Sequence, residues 1–300
     1  MQSKLNGWLS GLIGVLIFSG SLPATRVALA AFSPTFLTVG RASFAGCLAL
    51  ICLILLKQAK PNWAQLQRLS IVTLGVVIGF PFCTSMALQS ITAAYSVVFV
   101  GILPLATALF AVLKGEQRPQ PKFWFFAILG SSVVVLFAFT QNTHAQGISG
   151  QSWMFAAIIL CGLGYAEGGK LARELGGWQV ISWALVLALP VMLPLSYYFF
   201  PIHLGQAPLS AIIGLGYVSM FSMFIGFIFW YHGLATAGVI GVGQLQLIQP
   251  FFGLILCTLL LHETVSLGMV ISAVLVMICV VYAKKFAHIP TVTMQLKSAE

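Results

Sequence analysis

The chain has 300 residues, 60% of them hydrophobic and only 6% charged, with a mean hydropathy of +1.03. A water-soluble globule needs more polar residue than this to cover its surface, so the composition excludes one and places the chain in a bilayer. The formal net charge of +9 does not point to nucleic acid, because the basic residues are scattered at the ends of apolar runs and form no single solvated face.

Crossing about 30 Å of hydrocarbon takes about 20 apolar residues in a helix. Runs of that kind lie near residues 7–29, 33–56, 69–89, 93–113, 122–140, 153–171, 178–200, 209–232, 239–261 and 265–284, which predicts an all-α membrane protein of ten spans. The first run, after Lys4, has the look of a secretory signal, but its likeness to the start of the second half argues that it is retained. Residues 289–300 lack apolar periodicity and read as a disordered cytoplasmic tail. The six Cys lie inside apolar runs and form no CxxC, so they read as small buried apolar residues.

Lys and Arg occupy every second connection: Lys4, then Lys57/Lys60/Arg68, Lys114/Arg118/Lys122, Lys170/Arg173 and Lys284/Lys285/Lys297. The positive-inside rule then puts both termini in the cytoplasm. The turn at Ala235–Gly238 should also be cytoplasmic, although it carries no positive residue.

Two stretches end alike. Ile102-Leu103-Pro104 opens an apolar run closing at Gly115-Glu116, and Ile248-Gln249-Pro250 opens one closing at His262-Glu263. Pro104 and Pro250 are 146 residues apart, and Glu116 and Glu263 are 147 apart, as are Arg26 and Arg173. Ten spans divided by this repeat leave five per half, and an odd number forces the second half into the membrane in the opposite sense. The expected organisation is one five-helix repeat over residues 1–148 and an inverted copy over 149–288. Pro104 and Pro250, at equivalent depths, are the expected functional bends, the alternative being packing kinks without motion. Gly7/Gly11, Gly75/Gly79 and Gly164/Gly168 have the spacing of close helix–helix contacts.

With these residues in place the chain resembles the drug/metabolite transporter superfamily, in its ten-span EamA-type branch. The resemblance is carried by Gly20-Ser21-Leu22-Pro23-Ala24-Thr25-Arg26 closing span one, by Ser33-Pro34 with Arg41 in span two, and by the Pro104…Gly115-Glu116 and Pro250…Glu263 pairs. It implies a central cavity between the halves, lined by spans one, three, four, six, eight and nine, and export of amino acids, other metabolites or drugs. The chain departs from the family pattern at Phe18-Ser19-Gly20, where a Trp-Gly pair is usual, and at Glu167, an acid in a mostly apolar span.

The candidate substrate-binding residues are Tyr95, Tyr165, Glu167, Trp230, Gln246 and Gln249. Glu167 stands out because an ionisable group deep in a span is expensive and by default functional; the alternative is a pair with Lys170 near the interface. Gln246 and Gln249 share a helix face just before Pro250, as cavity residues or as interhelical packing glue. Arg41, with no carboxylate in the first half placed to meet it, either attracts an anionic substrate group or acts structurally, snorkelling outward or binding helix-end carbonyls; the structural role is favoured, because the family shows an arginine there regardless of substrate.

Two motifs are set aside. Gly164-Tyr-Ala-Glu-Gly-Gly169-Lys170 resembles a phosphate-binding loop, but Leu171 follows where Ser or Thr must hold Mg²⁺. Gly147-Ile-Ser-Gly150 matches an intramembrane protease serine motif without a convergent base. The scattered His residues have no metal-ligand spacing. The sequence therefore reads as a secondary transporter of the bacterial inner membrane that exports amino acids or other small metabolites by alternating access, without cofactor, metal or nucleic-acid partner. Drug efflux, metabolite uptake by the same fold and an intramembrane enzyme are the alternatives.

Overall fold

The structure is a computed structural model that describes residues 2–115, 120–140, 145–201 and 204–286. Within them the chain forms helices α1 (Leu5–Ala28), α2 (Pro34–Leu55), α3 (Trp63–Ala87), α4 (Ala93–Leu113), α5 (Pro121–Thr140), α6 (Ala145–Leu175), α7 (Gly177–Tyr198), α8 (Leu209–Ala237), α9 (Val239–Leu261) and α10 (Leu267–Lys285). Eight are long and apolar enough to cross a membrane, and α5 and α10 carry shorter apolar stretches over Pro121–Val134 and Leu267–Ala283. Glu116 and the tail at 289–300 lie outside the described residues.

The helix starts follow local chemistry. Ser33 accepts from the Phe36 amide at 3.2 Å, with Pro34 in the first turn of α2, and Asn62 forms a reciprocal capping box with Gln65 at the start of α3. Helix α4 is capped from the other half. The Glu263 carboxylate accepts from the Ala93 and Ala94 amides at 3.1 and 2.7 Å. A negative group there satisfies two orphan N–H donors and the positive end of the helix dipole. His262 at the end of α9 takes a left-handed conformation, φ 51°, as does Gly115 at φ 89°, 147 residues earlier. The repeated residue before each Glu is thus a left-handed helix stop, and at His262 it turns the chain so that Glu263 reaches α4.

The packing has the symmetry that the repeat predicts. Helix α1 packs on α8, α3 on α6, α2 on α7, α5 on α10, and α4 on α9. Exchanging each helix of the first half with its counterpart in the second converts the α1–α8 pair into α6–α3 and returns the other three pairs to themselves. The fold is therefore two inverted five-helix repeats about a pseudo-two-fold axis.

Glycine permits the closest crossings. A Cβ on Gly75 would lie 2.4 Å from the Leu160 carbonyl oxygen, and one on Gly233 would lie 2.8 Å from the backbone nitrogen of Gly11. These are the α3–α6 and α8–α1 crossings, a symmetry-related pair, and without a hydrophobic drive in lipid such backbone approach is what holds helices together.

Regular helix is interrupted at equivalent places in both halves. Helices α3 and α8 each pass through a π-helical stretch, Thr73–Gly79 and Tyr217–Ile225. Helix α4 breaks at Gly101–Ile102, and α9 passes through a 3₁₀ stretch at Gln244–Ile248. Pro104 and Pro250 then stand in the first turn of the restarted helix, where a missing N–H costs nothing. The expected bends are thus helix breaks followed by a proline start. Helix α6 begins at Ala145, eight residues before the expected start at 153, because the polar stretch Gln146–Ser152 continues the helix past its apolar run.

Candidate functional site

A narrow void lies where the two halves meet. It is lined by Phe18 and Ser21 of α1, Arg41 of α2, Val76 and Pro81 of α3, Leu103 of α4, Tyr165 of α6, Ser222 and Phe227 of α8, and Gln249 of α9. The π-helical stretches supply Val76 and Ser222, consistent with the tendency of such stretches to mark functional positions. The void leaves about 20 Å³ for the centre of a water-sized sphere, room for about one water. This conformation is closed around its centre. Larger grooves of about 360 and 270 Å³ lie between α1, α8 and α9 and between α2 and α8; their walls are almost wholly apolar.

One wall of the void is aromatic. Tyr165 packs against Trp230 at 5.3 Å and Phe227 at 5.9 Å between ring centroids, and Phe18 packs against Phe227 at 4.7 Å. Trp230 and Gln246 are fully buried, and neither the Trp230 Nε1 nor either polar atom of the Gln246 amide has a hydrogen-bond partner. The Gln246 amide approaches the Tyr165 hydroxyl without a bond of ordinary geometry. Gln249 donates a long bond of 3.4 Å to the Phe18 carbonyl and leaves its Oε1 unpartnered. Buried polar groups in apolar surroundings are normally satisfied, so this cluster retains hydrogen-bonding capacity. Tyr165, Trp230, Gln246 and Gln249, all chosen from the sequence, come together here.

Arg41 departs from expectation. It neither snorkels outward nor binds helix-end carbonyls: it is 4% exposed, borders the void, and donates from Nη2 to the Ser222 Oγ at 3.3 Å. Ser222 in turn shares a 2.6 Å hydrogen bond with Ser21. The physical reason is position: about a third of the way along α2, facing α8, the side chain has its nearest polar groups in the void rather than at an interface. The helix-end role belongs to Arg26, whose guanidinium donates to the Leu88 carbonyl at the end of α3.

Two other candidates lie apart from the void. Tyr95 accepts from the Gln151 amide at 2.8 Å and packs on Phe99 and Phe137, near the start of α4. Glu167 joins an ion cluster at the end of the bundle rich in Lys and Arg. Its Oε1 receives Arg68 Nε at 2.5 Å and its Oε2 receives Lys114 Nζ at 2.9 Å, while a second nitrogen of Arg68 meets Glu174 at 2.5 Å. Lys170, the expected i,i+3 partner, instead donates to the Lys114 carbonyl at 2.5 Å. The cluster ties α3, α4 and α6 together at one end.

Sequence reasoning missed Ser21, Ser222, Arg68 and Lys114 as partners in these constellations. Their signal is faint, a hydroxyl or a terminal basic residue in an apolar run, and only the helix pairing gives it meaning.

Residues 5–139 and 148–283 each match the EamA-like transporter family. The chain belongs to that family. YdeK, an uncharacterized transporter of Bacillus subtilis (strain 168), is 54% identical over 287 residues, 96% of this chain and 100% of its own length. An uncharacterized transporter of Archaeoglobus fulgidus is 23% identical over 270 residues, covering 88% of this chain and 91% of the relative. A solved crystal structure of a protein aligns with a TM-score of 0.69 over 94% of this chain and 97% of its own, at 17% identity, a likeness of fold alone. The two matches divide this EamA-like transporter as its internal repeat does, and the void lies on the boundary between them. It is a multi-pass membrane transporter built from two related halves.

Proposed function

We propose that this EamA-like transporter exports amino acids or other small metabolites across the bacterial cytoplasmic membrane, with both termini inside, by rocking its halves about the central void. The observation that carries the reading is the void itself: it sits between inverted repeats, beside helices broken at equivalent depths, and is walled by Tyr165 and Phe227 with Gln249 in reach. Discontinuous helices at the midplane of inverted repeats are where secondary transporters of this architecture bind their cargo. The ion cluster of Glu167, Arg68 and Lys114 supports a shut state at the cytoplasmic end. Movement is driven by gradients or exchange, since the sequence carries no nucleotide-binding motif.

The test is counterflow in proteoliposomes with a panel of labelled amino acids. Saturable exchange of at least one member is expected, falling at least about tenfold in a Tyr165→Ala protein that elutes as the wild type does. If no member exchanges while the intact protein is correctly inserted, amino-acid transport is rejected; exchange of bulky cationic drugs instead would favour the efflux reading.

A further inference from the structure

Among the described residues the Arg41 guanidinium is buried without a counter-ion. Asp is absent from the sequence and Glu occurs five times, at 116, 167, 174, 263 and 300. Of the described three, Glu167 and Glu174 are held by Arg68 and Lys114, and Glu263 is held by the amides at the start of α4. None of them reaches Arg41. Among the described residues Arg41 has no carboxylate within 4 Å, its Nε has no hydrogen-bond partner, and its only side-chain bond is the 3.3 Å contact with Ser222.

Arginine stays protonated under any physiological condition, and its planar fork of donors matches a carboxylate. Burying such a group without an opposite charge is strongly unfavourable, and the cost is relieved when a bound anion supplies that charge. Here the guanidinium borders the void between the halves, 4% exposed, with the Ser21–Ser222 hydroxyl pair beside it and Gln249 Oε1 unpartnered on the same lining. Among the described residues no acidic side chain lines the void. The remaining wall is hydrocarbon and aromatic, from Leu103, Phe18 and Phe227.

We infer that Arg41 is the carboxylate-binding residue of the transport site, and that the cargo is an organic monocarboxylate with an apolar or aromatic body. This deepens the proposed function and rests on its site. The carboxylate lies against Arg41 with Ser222 as a second donor, and the body lies against Phe18 and Phe227. A zwitterion is accepted through its carboxylate, since Tyr165 and Gln249 offer oxygen atoms to an ammonium group. An amine without a carboxylate brings a like charge beside Arg41 and leaves the guanidinium uncompensated.

The experiment is thermal unfolding of the full-length protein in nanodiscs, titrated with matched sets that share one body: phenylacetate, phenylacetamide and phenethylamine, then isovalerate, isovaleramide and isopentylamine. Sodium chloride and sodium phosphate serve as separate arms. At least one carboxylate is expected to raise the midpoint saturably, and its amide and amine are not. Arg41→Gln should weaken that carboxylate at least about tenfold, the loss of one charge-assisted bidentate contact. Arg41→Lys, which keeps the charge, should weaken it less while keeping the preference for carboxylate over amide, and it carries the test if Arg41→Gln does not fold.

Equal stabilisation by the amide, stabilisation by chloride or phosphate that matches the carboxylate, an unchanged response in both variants, or no response to either carboxylate would overturn the assignment. Counterflow then separates the two readings. A protein that exchanges amides or amines as well as carboxylates remains a transporter and loses only the role given to Arg41; one that exchanges nothing loses both.

Discussion

Replacing Glu167 by Gln is expected to lower stability by about 2–3 kcal/mol, below the cost of breaking a fully buried pair because Arg68 and Lys114 are about one-third exposed. The carboxylate is 4% exposed and receives a cation on each oxygen. Gln retains the shape and one acceptor but removes the charge, so Lys114 loses its carboxylate and Arg68 keeps only Glu174. The double change Glu167→Gln with Lys114→Met should recover part of the loss, because an uncompensated cation costs more than an absent pair. Urea or thermal unfolding in detergent measures both. Raised salt should weaken the Arg68–Glu174 contact, whose carboxylate is 48% exposed, more than the Glu167 contacts. A Glu167→Gln protein as stable as the wild type would show that the cluster does not hold α3, α4 and α6 together.

Gly75→Ala should be as severe through sterics alone. A single methyl at Gly75 would lie 2.4 Å from the Leu160 carbonyl oxygen and 3.3 Å from the Gly164 backbone, where no flexible side chain can give way. Helices α3 and α6 must separate, losing dispersion contacts along the crossing, at a cost of about 2–3 kcal/mol. Gly216→Ala provides the control. It precedes the π-helical stretch of α8, has open space where the methyl would go, and has helical φ, so Ala there should be neutral or slightly stabilising. Thermal midpoints of the two variants should therefore diverge by several degrees or more; equal midpoints would remove the close crossing from the account.

What the sequence made legible follows from the kind of signal each feature leaves. Apolar runs and their Lys/Arg flanks report the bilayer directly, so the helices and their pairing into halves could be read from spacing. The repeat of Pro104 with Pro250 marked the depth of the two breaks, because a first turn is where proline costs a helix least; proline alone does not dictate a break, since Pro190 and Pro194 lie inside the continuous α7. The role of Glu263 was not legible. Its partners at Ala93 and Ala94 are 170 and 169 residues away and are backbone amides, which no residue identity advertises. The π-helical stretches leave no composition signal at all, and their equivalence appears only once hydrogen bonds are traced.

The site shows the same division. Tyr165, Trp230, Gln246 and Gln249 are large or polar groups in apolar spans, and burial in a bilayer makes such residues conspicuous. Glu167 was conspicuous for the same reason, yet its surroundings depend on where α6 begins and on two cations delivered by α3 and α4. Arg41 lies about a third of the way along α2, from where a long basic side chain can turn either way, and only the α2–α8 contact shows that it turns inward to Ser222.

The most direct test of the central claim, that the closed void opens alternately to the two sides, is the accessibility of Ser222. In a cysteine-free background that retains transport, Ser222→Cys is treated in sealed proteoliposomes of known orientation with a membrane-impermeant thiosulfonate from one side or the other. The account predicts that the introduced thiol is modified from either side and that a transported substrate slows both reactions. Modification from one side alone under every condition, or from neither, would contradict it.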